Sequence, residues 1–316
     1  MKLTDLKTIA VTGLGTMGRG ITQCLAAGGY EVRCYDAAET ELKRAVPMID
    51  AMQQTLVQAE MLTPNAAKDS LRRIRPFNDL AKCLEGAQLV IEAIPENLDL
   101  KLSFYSRIDQ ICRPDVVFAS NTSGLSITRL AAATRRPEKV AGFHFWNPAH
   151  LMPLIEVTKG EKTSDDTAEL LLALARRLGK KPILVRRDVP GFIGNRLQYA
   201  VFREALHLVQ EGIASPEDVD TAMKAGPGIR YAFLGPLETA DLGGLDVFTS
   251  ISSYLFADLC ADAKPPTCLT DLVKDGKLGV KAGRGFYEYG GETLSELLST
   301  RDQKLIALLV ALGKAE

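Results

Sequence analysis

A mostly parallel α/β sheet domain followed by an all-helical C-terminal domain is what the sequence predicts, and three observations predict it. Short apolar runs alternate with helical segments as far as residue 188, the first run leads straight into a glycine-rich turn, and past Asp188-Val189-Pro190-Gly191 the β-branched runs stop. At 316 residues the chain has the length of two ordinary domains. Residues 1–188 and 189–316 are accordingly read as separate domains.

Lys7 to Thr12 reads as an apolar strand and Arg19 to Ala27 as a helix that Gly28-Gly29 ends. Glu31 to Tyr35 is a second strand. A strand–helix–strand unit of this length closes only by a crossover connection, which makes the sheet parallel. Glu39 to Arg75 is long, polar and helical, with Pro47 and Pro64 as boundaries, and is expected to stand out from the sheet as an insertion. Strand-like runs recur at Ala87–Ala93, Val116–Ala119, Val140–Phe145, Leu154–Val157 and Pro182–Val185, for about seven strands in all. The helices beyond Asp188 are broken at the glycines of GPG (226–228) and AGRG (282–285).

Bulk composition narrows the partners. Hydrophobic residues at 46% and charged residues at 24% describe a folded globular chain. With 38 basic against 39 acidic residues and no basic run, nucleic acid is not an expected partner. The opening MKLTDLK lacks a signal-like apolar core, and no run approaches the ~20 apolar residues of a membrane span, so a cytoplasmic chain without a membrane partner is expected. The six cysteines, Cys24, Cys34, Cys83, Cys112, Cys260 and Cys268, form no CxxC pair and match no histidine spacing, so no metal site is expected and the thiols are read as reduced.

Gly13, Gly15 and Gly18 fit G-x-G-x-x-G, with a strand before and a helix after. The first glycine permits a tight turn, the second lets the backbone approach a pyrophosphate, and the third lets helix and strand pack closely. Thr16 and Met17 supply free amides at the helix start, where an anion is favoured. Asp36, at the end of the second strand, can accept hydrogen bonds from ribose hydroxyls and repels a 2′-phosphate. NAD, rather than NADP, is therefore the expected cofactor.

His144 ends a strand in AGFHFWNP, at the sheet edge where ligands of α/β folds usually sit. An imidazole titrating near about pH 6.5 can take a hydroxyl proton as a hydride leaves, and return it in reverse. Glu156 lies further along, in PLIEVTKG. If the two strands run side by side, its carboxylate can hold one ring nitrogen. Taken alone, a residue such as His144 is more often a satisfied core histidine and one such as Glu156 more often a strand-end surface charge; His150 and His207 are read as structural.

Seven ordered motifs carry a resemblance: GLGTMG, AIPENLDLK, SNTSGLSIT, HFWNP, PLIEV, VPGFIGNR and KAGRGFYEY, spanning Ile9 to about Tyr289. In this order they resemble the L-3-hydroxyacyl-CoA dehydrogenase family, whose relatives include lambda-crystallin and L-gulonate 3-dehydrogenase. The resemblance implies a His144–Glu156 catalytic pair, with Ser123 and Asn195 lining the substrate oxygen. It further implies that Glu96, Lys101, Asn147 and, from the second domain, Lys281 lie near the nicotinamide half of NAD. It also implies a helical hairpin at 39–75 and a homodimer formed through the C-terminal helices.

One stretch departs from the family pattern. Acyl-CoA members commonly carry a Gly-Pro-Phe turn in the second domain, where this chain reads GPGIRYAFLGPLETADLGG, closer to the gulonate type. Arg230 within it can pair with a free substrate carboxylate, a role suited to guanidinium, or can form a salt bridge between domains or subunits. SNTS and HFWNP instead resemble the acyl-CoA enzymes. The leading expectation is an NAD-dependent enzyme oxidising an L-3-hydroxyacyl-CoA, with a gulonate-like free hydroxy-acid dehydrogenase as the alternative and an NAD-binding structural or sensor protein without turnover as a third reading. No hydratase half is expected to be fused to it.

Overall fold

In the computed structural model, which describes residues 2–291 and 293–313, the chain divides into two compact units, Met1–Arg196 and Leu197–Glu316. The first unit is built on one eight-stranded sheet. Strand β1 (Thr8–Thr12) enters the glycine turn and α1 (Thr16–Ala27), and β2 (Glu31–Tyr35) follows. Helices α2 (Glu39–Gln58) and α3 (Pro64–Leu71) lead to β3 (Ile74–Phe77) and α4 (Leu80–Leu84). Then come β4 (Leu89–Glu92), α5 (Leu98–Ile111), β5 (Val117–Ser120), α6 (Ile127–Ala132), β6 (Val140–Phe145), β7 (Leu154–Lys159), α7 (Asp165–Arg177) and β8 (Lys181–Val185).

The strand order is β3-β2-β1-β4-β5-β6-β7-β8, and every neighbouring pair is parallel except β6–β7. The chain thus builds outward from β1 in one direction and returns to build in the other, so β1 and β4 flank a switch point at the carboxyl edge. β4, β5 and β6 are buried at every position, as central strands covered on both faces must be. Alternation along β1 divides the core: Ile9 and Val11 pack on one side with Ile21, Leu25 and Phe143, and Ala10 on the other with Tyr105, Phe118 and Leu130. Each such Val, Leu, Ile or Phe side chain contributes about 1.5–3 kcal/mol on burial.

Two expectations about the insertion are corrected. The sheet has eight strands rather than about seven, because Ile74–Phe77 pairs with β2 instead of ending the helical segment. Its Pro76 has no N–H to give a ladder, which suits an edge strand and hides the strand from pattern reading. Pro47 does not bound a helix; it lies inside α2, whose buried Ala45, Ile49, Gln53 and Leu56 anchor both sides of it. Packing of that face outweighs the one backbone hydrogen bond a proline removes. Pro64 does begin a helix, capped by the Thr63 side chain.

α8 (Gly194–Gln210) carries the chain across the division at Arg196, a little past the change of pattern at Asp188. The second unit continues with α9 (Pro216–Ala225), α10 (Pro227–Tyr231), α11 (Pro236–Gly243), α12 (Leu245–Asp258), α13 (Thr267–Lys274) and α14 (Leu294–Gly313). Prolines open α9, α10 and α11, where the missing N–H costs nothing. Among the described residues no helix is long and apolar enough to cross a membrane.

Candidate active site

The glycine turn has a distinct reason for each glycine. Gly13 has φ +86, and a Cβ there would lie 2.5 Å from the Ala93 carbonyl oxygen. A Cβ on Gly18 would overlap the Gly13 carbonyl, so helix and turn can touch only through glycine. At Gly15 an added Cβ would meet no protein atom within 4 Å; its backbone is open to approach, and Gly15 and Thr16 are exposed and Met17 half-buried. The first amides of α1 have no acceptor inside the helix and make its start electropositive. Asp36 is tied into the same turn: Oδ2 accepts from the Leu14 amide at 2.6 Å and Oδ1 from the Ala38 amide at 2.8 Å. Each oxygen keeps a lone pair for a further donor. A dinucleotide fits this arrangement, with its pyrophosphate over Gly15 and the α1 N-terminus and its adenosine ribose at Asp36.

Beyond β4 and β5 lies a buried polar chain whose anchor, Glu92, the sequence did not point to. Glu92, the last residue of β4, is fully buried. Its Oε1 accepts from Lys101 Nζ at 2.5 Å and from the Ile94 amide at 2.9 Å, and its Oε2 from the Ser120 hydroxyl at 2.7 Å. Burial pushes the Glu92 carboxyl upward in pKa, against the pull of Lys101, Ser120 and the Ile94 amide. Lys101 also donates to the Ile94 carbonyl at 3.2 Å and lies 3.4 Å from Glu96. Glu96 in turn accepts from the Thr122 hydroxyl at 2.6 Å and the Ser123 amide at 3.0 Å. Lys101 of α5 and, from the loops after β4 and β5, Glu96 and Ser123 are therefore brought together, with α5 started by its Asn97 cap.

The central pair comes from the one antiparallel pairing of the sheet. His144 and Glu156 are direct cross-strand partners on β6 and β7, so their side chains leave the same face. His144 Nδ1 lies 2.7 Å from Glu156 Oε2, both groups are buried, and Nε2 is the ring nitrogen left to exchange a proton. The same Oε2 accepts from the Trp146 indole N–H at 3.1 Å, and Oε1 from the Ile193 and Gly194 amides at 3.0 and 2.9 Å. Burial alone would push the Glu156 carboxyl up, but the bonds from His144, Gly194, Ile193 and Trp146 outweigh it and hold the group below its ordinary range. The two amides follow left-handed backbone at Gly191 and Phe192, φ +74 and +51, and the buried Phe192 ring meets the imidazole edge-on at 5.9 Å.

Asn195 joins the same cluster by donating from Nδ2 to the Ser123 carbonyl at 2.8 Å. Asn121, also absent from the sequence reading, accepts from the Phe145 amide at 2.8 Å and ties the end of β5 to the end of β6. Asn147 is exposed in the loop after Trp146. Arg230, in α10, and Lys281, in the 3-10 turn Val280–Ala282, are exposed residues of the second unit. All six cysteines are free. Burial pushes the thiols of Cys34 and Cys83 up to about 12 and that of Cys112 to about 11, which keeps them protonated and unreactive. Among the described residues no group of His, Cys, Asp and Glu could hold a metal ion.

Two family models match this chain in succession: the 3-hydroxyacyl-CoA dehydrogenase NAD binding domain over residues 8–189 and the 3-hydroxyacyl-CoA dehydrogenase C-terminal domain over residues 191–289. The chain belongs to the 3-hydroxyacyl-CoA dehydrogenase family. This dehydrogenase is thus an oxidoreductase whose cofactor is NAD. It is 39% identical over 303 residues to the 5-formyl-3-hydroxy-2-methylpyridine 4-carboxylate 5-dehydrogenase of Mesorhizobium japonicum, covering 96% of this chain and 97% of that one. A solved structure of a 5-dehydrogenase of that pyridine acid, described as an NAD+-dependent dismutase, superposes with TM-score 0.92 at 38% identity, covering 98% and 99% of the two chains. The (S)-3-hydroxybutyryl-CoA dehydrogenase of Ralstonia eutropha superposes with TM-score 0.76 at 38% identity, covering 90% and 99%.

Proposed function

We propose that the enzyme oxidises the hydroxyl carbon of a 3-hydroxyacyl-CoA to a ketone, with His144 as the base that takes the hydroxyl proton. The observation that carries this reading is the 2.7 Å contact between His144 Nδ1 and Glu156 Oε2 at the carboxyl edge of the sheet. Glu156 orients the ring so that Nε2 faces the reacting hydroxyl, and it stabilises the imidazolium that forms. NAD, when bound, supplies the acceptor for the hydride that leaves the same carbon. Gly13, Gly15, Thr16, Met17 and Gly18 hold its pyrophosphate and Asp36 its ribose, while Glu96, Lys101, Asn147 and Lys281 serve the nicotinamide half. Ser123 and Asn195 steady the substrate oxygen as its bond order changes, a modest form of oxyanion stabilisation.

A second reading has its own support. The pyridine-acid dehydrogenases match nearly end to end, and the superposition at TM-score 0.92 exceeds that with the hydroxybutyryl-CoA enzyme. In this reading the substrate is a small hydroxy acid or hydrated aldehyde with its own carboxylate, and Arg230 pairs with that carboxylate. Initial NADH formation across L-3-hydroxyacyl-CoAs of several lengths, L-gulonate, free 3-hydroxybutyrate and the formyl-pyridine carboxylate separates the two. Turnover of the thioesters with silence from the free acids supports the first, and the reverse result replaces it. Under the second reading Arg230→Ala raises KM for the carboxylate substrate about 10-fold or more and leaves thioester kinetics alone; equal indifference to both removes Arg230 from the site.

The helical unit supports a homodimer as the working form. Among its described residues only Leu206 and Ile306 of the apolar side chains are buried, while Leu237, Leu242 and Phe256 are 81%, 74% and 71% exposed. Apolar surface on that scale calls for a partner, and a second copy of the chain supplies one. Sedimentation at micromolar concentration is expected to give twice the mass of 34.3 kDa; a monomer down the whole concentration series rejects this.

A further inference from the structure

We propose that Trp146 is a positioning residue of the acid–base pair: its indole N–H holds Glu156 Oε2 and takes up part of the charge that the carboxylate presents to His144. The inference rests on the reading of His144 and Glu156 as the proton-exchanging pair. It begins with strand geometry. His144 is followed two residues later by Trp146, and positions i and i+2 of an extended chain face the same side; Phe143 and Phe145, between and before them, belong to the opposite core. Imidazole and indole therefore reach one carboxylate oxygen together, at 2.7 and 3.1 Å.

Glu156 is then saturated. Its two oxygens offer about four lone-pair positions, and they receive His144 and Trp146 on Oε2 and the Ile193 and Gly194 amides on Oε1. Three of these donors are neutral. Each neutral donor steadies the carboxylate anion and lessens its hold on the imidazolium relative to a bare Glu–His contact. Among the described contacts the groups facing the pair are Trp146, Phe192 and the amides of Ile193 and Gly194, none of which titrates.

The indole is held in place for this task. Its Cζ2 edge meets Gly194, where a Cβ would overlap the six-membered ring, and the imidazole lies 5.7 Å away between centroids. Gly194 is glycine at the first position of α8 because Trp146 occupies the space a side chain would need. The indole thus spans the histidine and the amides that secure the glutamate.

Trp146 is the sole tryptophan of the chain, so replacing tryptophan globally with β-(3-benzothienyl)alanine, which puts sulfur where the N–H was, changes only this donor. The acid limb of kcat/KM in the oxidation direction is expected to move up by about half to one pH unit. Plateau kcat should stay within about threefold and NADH affinity within about twofold of the unsubstituted enzyme. Trp146→Phe should give the same shift with a larger plateau loss, since its smaller ring leaves the Gly194 face uncovered; it also serves if the analogue protein fails to fold. Imidazole titration followed by NMR, without substrate, should move in the same direction. A shift by NMR with no turnover on any substrate defeats the proposed function and leaves this inference standing. Turnover with an unmoved acid limb in both substituted proteins overturns it.

Discussion

Glu156→Gln removes the charge at the centre of the site while keeping its shape, and the structure fixes how badly a carboxamide fits. All four contacts to Glu156 are donors: His144 Nδ1, Trp146 Nε1 and the amides of Ile193 and Gly194. A glutamine has one accepting oxygen. Turned one way its NH2 meets both backbone amides; turned the other it meets the indole N–H and imidazole Nδ1, which can accept from it only by moving its proton to Nε2, the nitrogen needed for the hydroxyl proton. Replacing charge-assisted bonds of about 1.5–3 kcal/mol each, with at least one donor left facing an N–H, predicts a loss of about 2–4 kcal/mol in stability after relaxation. The histidine also loses the anion that orients it and stabilises its imidazolium. Loss of the orienting carboxylate from a catalytic triad costs about 10⁴ in kcat, so a fall of about 10³-fold in kcat/KM is expected here. The pH dependence has a definite sign. The Glu156 carboxyl is held low in the folded protein, so its stabilising contribution is in force above the unfolded carboxylate value of about 4.3 and drains away as pH falls through the lower folded value. In denaturant melts, the stability gap between wild type and Glu156→Gln should narrow as pH falls below about pH 4. A variant within tenfold of wild type in kcat/KM, or a gap that fails to narrow below about pH 4, refutes the reasoning.

Three further outcomes are expected. His144→Ala should lower kcat by about 10²–10⁴ while NADH binding, followed by the fluorescence of the cofactor, persists; full turnover would remove the histidine from the mechanism. Asp36→Ala should raise KM for NAD about 10-fold and narrow its preference over NADP, since the carboxylate that repels a 2′-phosphate is gone; unchanged discrimination in paired initial-rate assays would count against its ribose role. Emission from Trp146, beside His144, should be quenched by saturating NADH, and indifference to the cofactor would argue that the nicotinamide lies elsewhere.

Much of the first unit is legible because its signals are local. A strand that runs into G-x-G-x-x-G and a helix needs only neighbouring residues to be read, and the same holds for the glycines that end α1 and the proline that opens α3. What fails to show is whatever depends on pairing. β3 is four residues with a proline inside, and it is a strand only because β2 lies beside it. Glu92 ends an apolar run and reads as a charge reaching solvent, until Lys101 from the next helix and Ser120 from the next strand close over it. The indole bond to Glu156 likewise needs the hairpin to be closed before it exists. In the second unit the helices follow from their prolines and polar caps, yet nothing in periodicity alone tells an apolar face turned inward from one awaiting another chain.

The reversal of β7 is the step that sets a histidine and a glutamate opposite each other at the edge of a dinucleotide fold. From β3 through β6 the strands run parallel, and each carboxyl end delivers a loop: the glycine turn, Asp36, Glu96, then Ser123. Parallel neighbours require a long crossover, whereas an antiparallel pair needs only a short return, and the eight residues 146–153 provide it. That short return keeps Trp146 and Asn147 at the same edge as His144 and brings Glu156 back opposite the histidine. The register permits no tolerance. A slip of one residue would present Ile155 or Val157 to the imidazole and send the carboxylate to the opposite face, into the apolar core where both now lie. An insertion of a single residue between Asn147 and Pro153 should for that reason leave the glycine turn and NADH binding intact while removing turnover, provided it is taken up by the strand rather than by the loop. Backbone amide exchange along β6 and β7 tells those two cases apart.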